Sequence, residues 1–312
     1  MKTKKNRDKW YKKDENGFVK NKLIELYCTI CQCNDSRFRE KMQRLSNNKC
    51  PQFSDEELIT VYLWGVGQHL STRKAIYQYT KSHLSEWFPK LPSYQAFCRR
   101  LNWLAGAFQA LAEIFGEKML EKSPDTHAYV VDSMPIMLAH RSNSTRAKVG
   151  RPLCNKCFNS TRKEWYHGVK LHVLAMLRPG KLPIPIVSQI SQASLCDLWA
   201  AQRIDWDCTP ISHGCLFADR AYTDSAWAKF LKKARNVDIL VPHKRPVNDP
   251  LRSGNCLNTG ISRRRQPIEA FFHWIDVKSA IQNASHIRSL NGLLFHIFAA
   301  LAFIAISLFF YY

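Results

Sequence analysis

Hydrophobic residues recur at helical spacing from about residue 22 to residue 122. Within this stretch, Ser54 and Glu57 have the three-residue spacing of a capping box, in which each side chain binds the other residue's backbone N–H. They predict a helix that begins after Ser54 and buries the apolar run up to Trp64. We expect this helix to break at Gly65 and Gly67, because glycine favours helix ends over helix interiors.

A second helix is predicted over residues 73–84, opened by Ser71 and Thr72, and a third runs from Ser93 to about Phe115. The second helix has five polar side chains available on its polar side, namely Lys74, Tyr77, Gln78, Lys81 and His83. A helix, a glycine turn and a basic second helix are typical of a DNA-binding helix-turn-helix. Any helical hairpin has the same outline, so both interpretations stay open.

After Thr126 the spacing changes from helices to strands. The apolar, β-branched run from Ala128 to Asp132, closed by Pro135, predicts a buried strand with a carboxylate at its end. Further strands are predicted at 165–177, 182–190, 216–219 and 237–241, with a turn at 178–181, helices at 196–204, 224–235 and 266–281, a basic loop at 243–265, and one more apolar helix. A strand hairpin followed by alternating strands and helices predicts an α/β fold, a mixed sheet with flanking helices, behind an all-helical N-terminal region.

The charge of the chain indicates a class of partner. Its 46 lysines and arginines outnumber 25 acidic residues, for a net charge of +21. Such a balance is typical of proteins that bind polyanions, including ribosomal and membrane-surface proteins. Residues 1–22 are especially basic and predict a solvated, partly disordered tail compatible with phosphate contact. The 46% hydrophobic content excludes a mainly disordered chain.

Eleven cysteines raise the question of disulfides or zinc. The count is odd, the chain is long and no secretory signal is recognisable, so we expect free thiols in a reducing cytoplasm. Cys28 and Cys31, and likewise Cys154 and Cys157, have zinc-knuckle spacing. Because the two pairs fall in different predicted domains, structural zinc is the less favoured interpretation.

The run of apolar residues from Gly292 to Tyr312 is close to the length that spans a bilayer. His296 and Ser307 interrupt it, and its alanines suit close packing between helices. We therefore expect a buried helix and no membrane, with a membrane-tethered basic protein as the alternative.

Three acidic residues carry the candidate chemistry. Asp132 and Asp219 each close a predicted strand, and Glu269 lies in a predicted helix. Carboxylates from separate elements are the ligands that Mg²⁺ prefers, so the three predict a cage for hard divalent cations. Taken singly, a strand-end aspartate is a common turn residue, and a helical glutamate among arginines is usually an ion pair.

Four motifs in this order carry a resemblance: Val-Val-Asp132-Ser, Tyr166-His-Gly-Val-Lys170-Leu-His, Phe-Ala-Asp219-Arg-Ala-Tyr222 and Arg265-x-x-x-Glu269. Over roughly residues 50–300 the chain resembles DDE-type insertion-sequence transposases and is most similar to the insertion sequence 982 family. The resemblance implies an RNase H-like core in which Asp132, Asp219 and Glu269 are catalytic and bind two Mg²⁺ ions, with Mn²⁺ as a substitute. It also implies double-stranded DNA as substrate, at the element ends and the target, and a homo-oligomer on that DNA.

Residues around the third acid depart from the related transposase signature. Arg265 matches, but Ser262 occupies the position of a tyrosine and Asp276 that of a lysine, with Lys278 two residues further on. We assign phosphate contact to four residues, Arg264, Arg265, Lys170 and Lys278. Arg offers a planar fork that matches phosphate oxygens, whereas Lys170 could instead extend from a sheet edge into solvent.

Two other residues near the motifs have open roles. Tyr222 could position the site, but packing is the favoured interpretation. Asp197, in Ser-Leu-Cys-Asp, resembles the segment before the second acid in related enzymes, with Cys196 where a histidine is usual. Asp197 is therefore the substitute for Asp219 if Asp219 does not serve.

We thus predict three regions: a tail at 1–22, a helical DNA-binding region at 23–122 and an RNase H-like DDE catalytic domain at 123–312. The predicted function is a cytoplasmic, nucleoid-associated transposase. Water attacks a phosphodiester at the terminal inverted repeats, and the freed 3′-hydroxyl then attacks target DNA. An inactive transposase-derived DNA-binding protein is the alternative.

Overall fold

The structure of the protein is a computed structural model that describes residues 18–44, 51–242 and 256–311. Most of the predicted basic tail, and residues 243–255 of the predicted basic loop, lie outside the described residues. The described part of the N-terminal region forms the helices α1 (Phe18–Cys31), α2 (Ser36–Met42), α3 (Asp55–Gly67), α4 (Arg73–His83), α5 (Tyr94–Trp103) and α6 (Ala105–Glu121). The sequence predicted this helical region correctly.

Side-chain caps set the starts of four of these helices, and Asp35 caps α2 by accepting from the backbone N–H of Arg37. Ser54 accepts from the backbone N–H of Glu57, whose side chain accepts from the N–H of Ser54, so the predicted capping box is present. Thr72 caps α4 and Ser93 caps α5 through a single side-chain bond, from the backbone N–H of Ala75 and of Ala96 respectively. Each cap satisfies a backbone donor that the first helical turn leaves unpaired.

Two helix boundaries in this region were predicted wrongly. Helix α3 continues through Gly65 to Gly67. A Cβ atom at Gly65 would lie 2.6 Å from Cγ1 of Ile76, so this glycine allows α4 to approach α3 closely rather than ending the helix. The single helix predicted from Ser93 to Phe115 is divided at the buried residue Leu104, whose backbone (φ −83°, ψ 7°) departs from helical values.

A six-stranded mixed sheet follows the helical region. Its strands are β1 (Ala128–His140), β2 (Asn155–Asn159), β3 (Glu164–Met176), β4 (Ile184–Gln192), β5 (Gly214–Phe217) and β6 (Val237–Leu240). The order β2-β3-β1-β5-β6 is antiparallel up to β1 and parallel beyond it. Strand β4 pairs antiparallel with the second half of β3, and β2 pairs with the first half. The predicted mixed α/β sheet with flanking helices is confirmed.

Strand β1 is longer than predicted, so Asp132 lies inside a strand and not at its end. It is paired with Val173, and the strand continues through Pro135 to His140. Proline is tolerated because the parallel neighbour β5 pairs with β1 only up to Val130. Among the described residues, that side of β1 has no strand partner between Val130 and the isolated bridge of Met137 to Asn283, so a residue without an N–H at position 135 removes no ladder hydrogen bond.

Other elements differ from the prediction or were not predicted. Strand β2 and the short helix α7 (Asn143–Arg146) were not predicted. Between β4 and β6 the chain forms α8 (Asp197–Gln202), a 3₁₀ turn (Arg220–Tyr222) and α9 (Ser225–Arg235). Helix α10 (Cys256–Ser279) begins ten residues earlier than predicted, with Pro267 inside it. Proline is common in the first turn of a helix, so Pro267 in the sequence indicated a helix that begins near residue 266.

The last described helix, α11 (Leu290–Tyr311), lies in the hydrophobic core. Its Phe295 ring contacts Tyr62 of α3 and Phe108 of α6, at centroid distances of 4.7 and 5.2 Å. Length and composition would allow α11 to cross a membrane, yet 78% of its most apolar window is buried within the molecule. The same core includes residues of the sheet, so the N-terminal helices and the sheet share one hydrophobic interior.

Candidate acidic site

Asp132 is a largely buried carboxylate on the central strand β1, with 18% of its side chain exposed. Its Oδ2 accepts a hydrogen bond from Nη2 of Arg265 at 3.1 Å, and its Oδ1 accepts from the backbone N–H of Ser133 at 2.8 Å. The pKa of Asp132 is raised to about 6, because burial and the charge of Asp219 outweigh the opposing effects of Arg265 and the Ser133 N–H.

Asp219 lies close to Asp132 because of the parallel pairing of β5 with β1. Val130 is paired with Phe217, and the two aspartates each follow that pair by two residues. Strand β5 ends at Phe217, so the equal offsets bring Asp219 near Asp132 just past the end of the paired segment, and the charge of Asp219 raises the pKa of Asp132. The Oδ1 of Asp219 accepts from the N–H of Ala221 at 2.8 Å, which fixes the carboxylate at the start of the 3₁₀ turn.

Glu269 is the predicted acid that the structure does not join to the other two. It lies one turn after Arg265 on α10, a spacing that puts both side chains on the same side of the helix. Glu269 is exposed, and no hydrogen bond or ion pair among the described residues connects it to Asp132 or Asp219. Within residues 18–44, 51–242 and 256–311, no three His, Cys, Asp or Glu side chains are grouped to hold a metal ion.

A second polar group lies beside the two aspartates. Nζ of Lys170 and Oγ of Ser133 both donate to Oδ1 of Asp197, each at 2.9 Å. The buried ring of His172 lies 3.8 Å from the same oxygen through Nδ1 and contacts Oγ of Ser191 through Nε2 at 2.7 Å. Burial lowers the pKa of His172 to about 4. Lys170, assigned to phosphate from the sequence, therefore has a protein carboxylate as its partner in this structure.

Tyr222 and Arg265 both have buried donor atoms left without a partner. Among the described residues, the hydroxyl of Tyr222 and Nε of Arg265 make no hydrogen bond. Burial raises the pKa of Tyr222 well above its ordinary value, and the charges of Asp197, Asp132 and Asp219 add to the shift. The hydroxyl thus lies within electrostatic reach of all three carboxylates. Two unmet donors beside the acids are suited to an anionic group such as a phosphate.

The remaining sequence-predicted contacts lie away from Asp132. Arg264 is exposed beside Arg265. Lys278 is in the last turn of α10, where its Nζ lies 3.3 Å from Nε2 of His69. At a rise of about 1.5 Å per residue, it is about 20 Å along the helix from Arg265. Asp276, where the related transposase signature has a lysine, accepts from the N–H of Gln282 at 3.0 Å and so stabilises the turn that ends α10.

Hard oxygen donors suit a divalent cation at the two aspartates. The raised pKa of Asp132 arises from burial and from the neighbouring charge of Asp219, and a bound cation would relieve both costs. The pair therefore fits two ligands of a metal site. Glu269 would complete the set only if its side chain reached back toward Arg265.

Sequence reasoning missed the contributions of Ser133 and His172. These residues are paired across β1 and β3, and both lie in strands that are otherwise mainly apolar. Isolated polar residues in two buried strands are a signal of a shared polar cluster. Pairing the strands correctly would have revealed it.

Comparison with known proteins gives one result for this region. A family model described as "Transposase DDE domain" matches residues 122–290, more than half of the chain. The matched range includes β1 through α10 and all three predicted acids. Neither the curated proteins nor the solved structures compared with the chain gave a match.

Proposed function

The chain belongs to the transposase DDE domain family, and from this premise we propose that it is an insertion-sequence transposase of the insertion sequence 982 type. It would cleave DNA at terminal inverted repeats and join the freed 3′-hydroxyl to target DNA. One observation carries the proposal: Asp219, two residues past the end of β5, lies within electrostatic reach of the buried Asp132 on the paired strand β1, and Arg265 is 3.1 Å from Asp132.

Strand order supports an RNase H-like core. The antiparallel succession β4-β3-β1 continues into the parallel succession β1-β5-β6, with helices on the sheet. Strand β1 is central in this sheet and carries Asp132, the first of the three acids. The sheet therefore offers the acids a rigid support, which holds reacting groups more closely in place than a loop does.

The three acids and the residues around them would have different roles in catalysis. Asp132, Asp219 and Glu269 would hold the divalent cations, two Mg²⁺ or Mn²⁺ per site, which when bound supply Lewis acidity for phosphodiester chemistry. Arg265, whose Nη2 contacts Asp132 in this structure, would bind the scissile phosphate through its planar fork. The Tyr222 hydroxyl would donate to a second phosphate oxygen. Burial of both side chains limits water near the reacting phosphate.

DNA recognition is assigned to the N-terminal helices. Helices α3 and α4 are joined by a short turn, and α4 has exposed Lys74, Gln78 and Lys81. A net charge of +21 favours phosphate binding along much of the surface. Recognition of two element ends would require a homo-oligomer on the DNA.

A cleavage assay tests the acids directly. In a plasmid excision assay with Mg²⁺, we expect Asp132→Asn and Asp219→Asn each to lower cleavage by at least about 100-fold, because lost transition-state charge stabilisation is typically that large. Asp238→Asn, on β6 and 53% exposed, is the matched control and should cleave like the wild type. The same assay on Asp197→Asn decides whether Asp197 substitutes for Asp219.

The outcome that contradicts the proposal is equally clear. A wild-type protein that excises no better than Asp132→Asn, yet still binds DNA, would indicate an inactive transposase-derived DNA-binding protein. Full activity of Glu269→Gln would remove Glu269 alone from the site and leave the two aspartates in place.

A further inference from the structure

A strongly basic segment joins β1 to β3. Residues 141–163 contain seven lysines and arginines and no acidic residue. These are Arg141, Arg146, Lys148, Arg151, Lys156, Arg162 and Lys163, and all seven are exposed. The next residue, Glu164, is already engaged by His140 at 3.2 Å and Arg141 at 3.3 Å. Apart from Arg141, which pairs with Glu164, these cations have no acidic residue within the segment and concentrate positive charge along one edge of the sheet.

Two exposed aromatic rings lie on the same hairpin. Phe158 of β2 is paired with Trp165 of β3, and the side chains are 46% and 50% exposed. Their ring centroids are 5.4 Å apart at an interplanar angle of 61°, and Nζ of Lys156 lies 4.8 Å from the Trp165 ring. Large aromatic side chains exposed among cations mark an interaction surface rather than a core.

We propose that this face of the β2–β3 hairpin, defined by Lys156, Phe158, Trp165 and the exposed cations of residues 141–163, binds double-stranded DNA. The cations would contact phosphates, while the aromatic pair would pack against sugars and base edges. The inference rests on the proposed function, because the DNA would be the same duplex that enters the acidic site. It adds a binding surface separate from α3 and α4.

Position in the fold supports one continuous DNA path. The hairpin contacts the turn that follows α10, where Nη2 of Arg162 donates to Oε1 of Gln282 at 2.7 Å. The backbone carbonyl of Gln282 accepts from the N–H of Met137 on β1 at 2.9 Å. From Asp132 to the end of β1 is about 26 Å at about 3.3 Å per residue. At 3.4 Å per base pair, a duplex touching both places would span about eight base pairs.

Charge reversal tests the surface. Binding of the full-length protein to a fluorescent 30-base-pair duplex is measured by anisotropy in EDTA, over a range of salt concentrations. We expect Arg151→Glu/Lys163→Glu to bind at least tenfold more weakly at low salt. The slope of log K against log salt should fall by about two, since each phosphate contact contributes about 0.9. The control Lys229→Glu/Lys233→Glu makes the same charge change on exposed lysines of α9.

The α9 control variant distinguishes direct DNA contact by the hairpin from long-range electrostatic attraction between the protein and DNA. We expect the α9 variant to bind within about threefold of the wild type, since two surface charges away from a contact affect only long-range attraction. Equal losses in the two variants, or no loss in the hairpin variant, would overturn the proposal.

An aromatic variant tests the second half of the surface. Phe158→Ala/Trp165→Ala should weaken binding about fivefold without changing the salt slope, because stacking and apolar contacts release no counterions. Trp165→Phe should recover most of the loss, which a merely unfolded hairpin would not predict. Phe230→Ala on α9, with a ring that is 51% exposed, is the matched control. An aromatic variant that binds like the wild type would remove the rings from the surface.

These measurements are independent of the cleavage assay. Binding in EDTA requires no catalysis, so a protein that binds through the hairpin but does not cleave would contradict only the proposed function. A protein that cleaves while both hairpin variants bind normally would contradict only the hairpin surface.

Discussion

The hydroxyl of Tyr222 is unusual for a buried polar atom. A buried hydroxyl without a partner costs about 1–3 kcal/mol, so most proteins satisfy it or replace the residue with phenylalanine. Here Tyr222 is 1% exposed, and its phenol lies within electrostatic reach of three carboxylates without a hydrogen bond to any of them. A group kept at such a cost is expected to act on a ligand.

Replacing this tyrosine separates stability from activity. Tyr222→Phe should leave the free energy of unfolding unchanged or raise it by about 1 kcal/mol, because the unsatisfied oxygen is removed. Cleavage should fall about tenfold, as expected when one hydrogen bond to a charged group is lost. Urea unfolding and plasmid excision on the same preparation measure both effects. A loss of stability with normal cleavage would indicate that Tyr222 only packs.

Individual site residues were predictable where a short motif surrounds them. Asp132 and Asp219 follow apolar runs that fold as strands, so their neighbours along the chain identify them. The contact of Arg265 with Asp132 spans 133 positions, and that of Lys170 with Asp197 spans 27. Such partners are set by the register of the sheet and the position of α10, which local patterns do not specify. Whether Glu269 joins the aspartates remains a prediction from the resemblance.

At the scale of secondary-structure elements, the close packing of α3 against α4 depends on Gly65, which has no side chain. A methyl group at Gly65 would meet the branched carbons of Ile76 at 2.6 and 2.7 Å, and a β-branched side chain has little freedom to move aside. We expect Gly65→Ala to lower the free energy of unfolding by about 1–3 kcal/mol through overpacking. Chemical denaturation gives the value, and Gly65→Ala/Ile76→Ala should recover part of it.

Gly260 of α10 provides the matched control. Nothing lies within 4 Å of a Cβ at that exposed helical position. Gly260→Ala should therefore stabilise the protein by about 0.5–1 kcal/mol, since alanine is the better helix former. A loss of stability at both glycines would show that neither effect depends on the space around Gly65.

His296 makes helix α11 sensitive to acid. Burial lowers its pKa to about 4, the neutral ring donates from Nε2 to the carbonyl of Ile281 at 3.0 Å, and the nearby His286 and Arg73 oppose protonation further. The unfolded chain has an ordinary histidine pKa of about 6.5, so it binds more protons than the folded chain between these values. The contribution of His296 to stability is therefore present above about pH 6.5 and is lost as the pH falls toward 4.

The expected size of this effect can be measured. Between pH 7 and pH 5 the titration of His296 should remove about 2 kcal/mol from the free energy of unfolding. His296→Gln keeps a donor near the Ile281 carbonyl and does not titrate, so it should lose about 2 kcal/mol less over the same interval. Parallel pH dependence of the two proteins would contradict the assignment.

Elements set by local signals were predicted well. Ser54, Thr72 and Ser93 cap helices in the structure as the sequence indicated, because a cap involves only neighbouring residues. Pro135 misled the prediction, since the side of β1 that lacks a strand partner is decided by where β5 ends. Strand β2 was not predicted, because pairing with β3 decides its structure. Its five residues have no apolar pattern of their own.

At the scale of the whole molecule, Phe295 of α11 connects helices that are distant in the sequence. Its ring is 1% exposed, packs edge-on against Tyr62 and Phe108, and has the guanidinium of Arg73 at 4.5 Å. We expect Phe295→Ala to lower the free energy of unfolding by about 3–5 kcal/mol. Because helices and sheet share one core, far-ultraviolet circular dichroism and tryptophan fluorescence should shift together in one transition.

The exposed Phe230 again serves as control, with an expected change below about 0.5 kcal/mol for Phe230→Ala. Two separate transitions, of which Phe295→Ala moves only one, would show that the helical region and the sheet unfold independently.

Burial of α11 against α3, α5 and α6 also has a consequence for synthesis. A ribosome releases the early helices long before residues 290–311 exist, so the apolar sides of those helices stay open during most of translation. Chaperones would shield the nascent chain in that interval, and a stalled ribosome would expose it to proteases. The cell would thus obtain folded protein only after the message has been read through the codons of this helix.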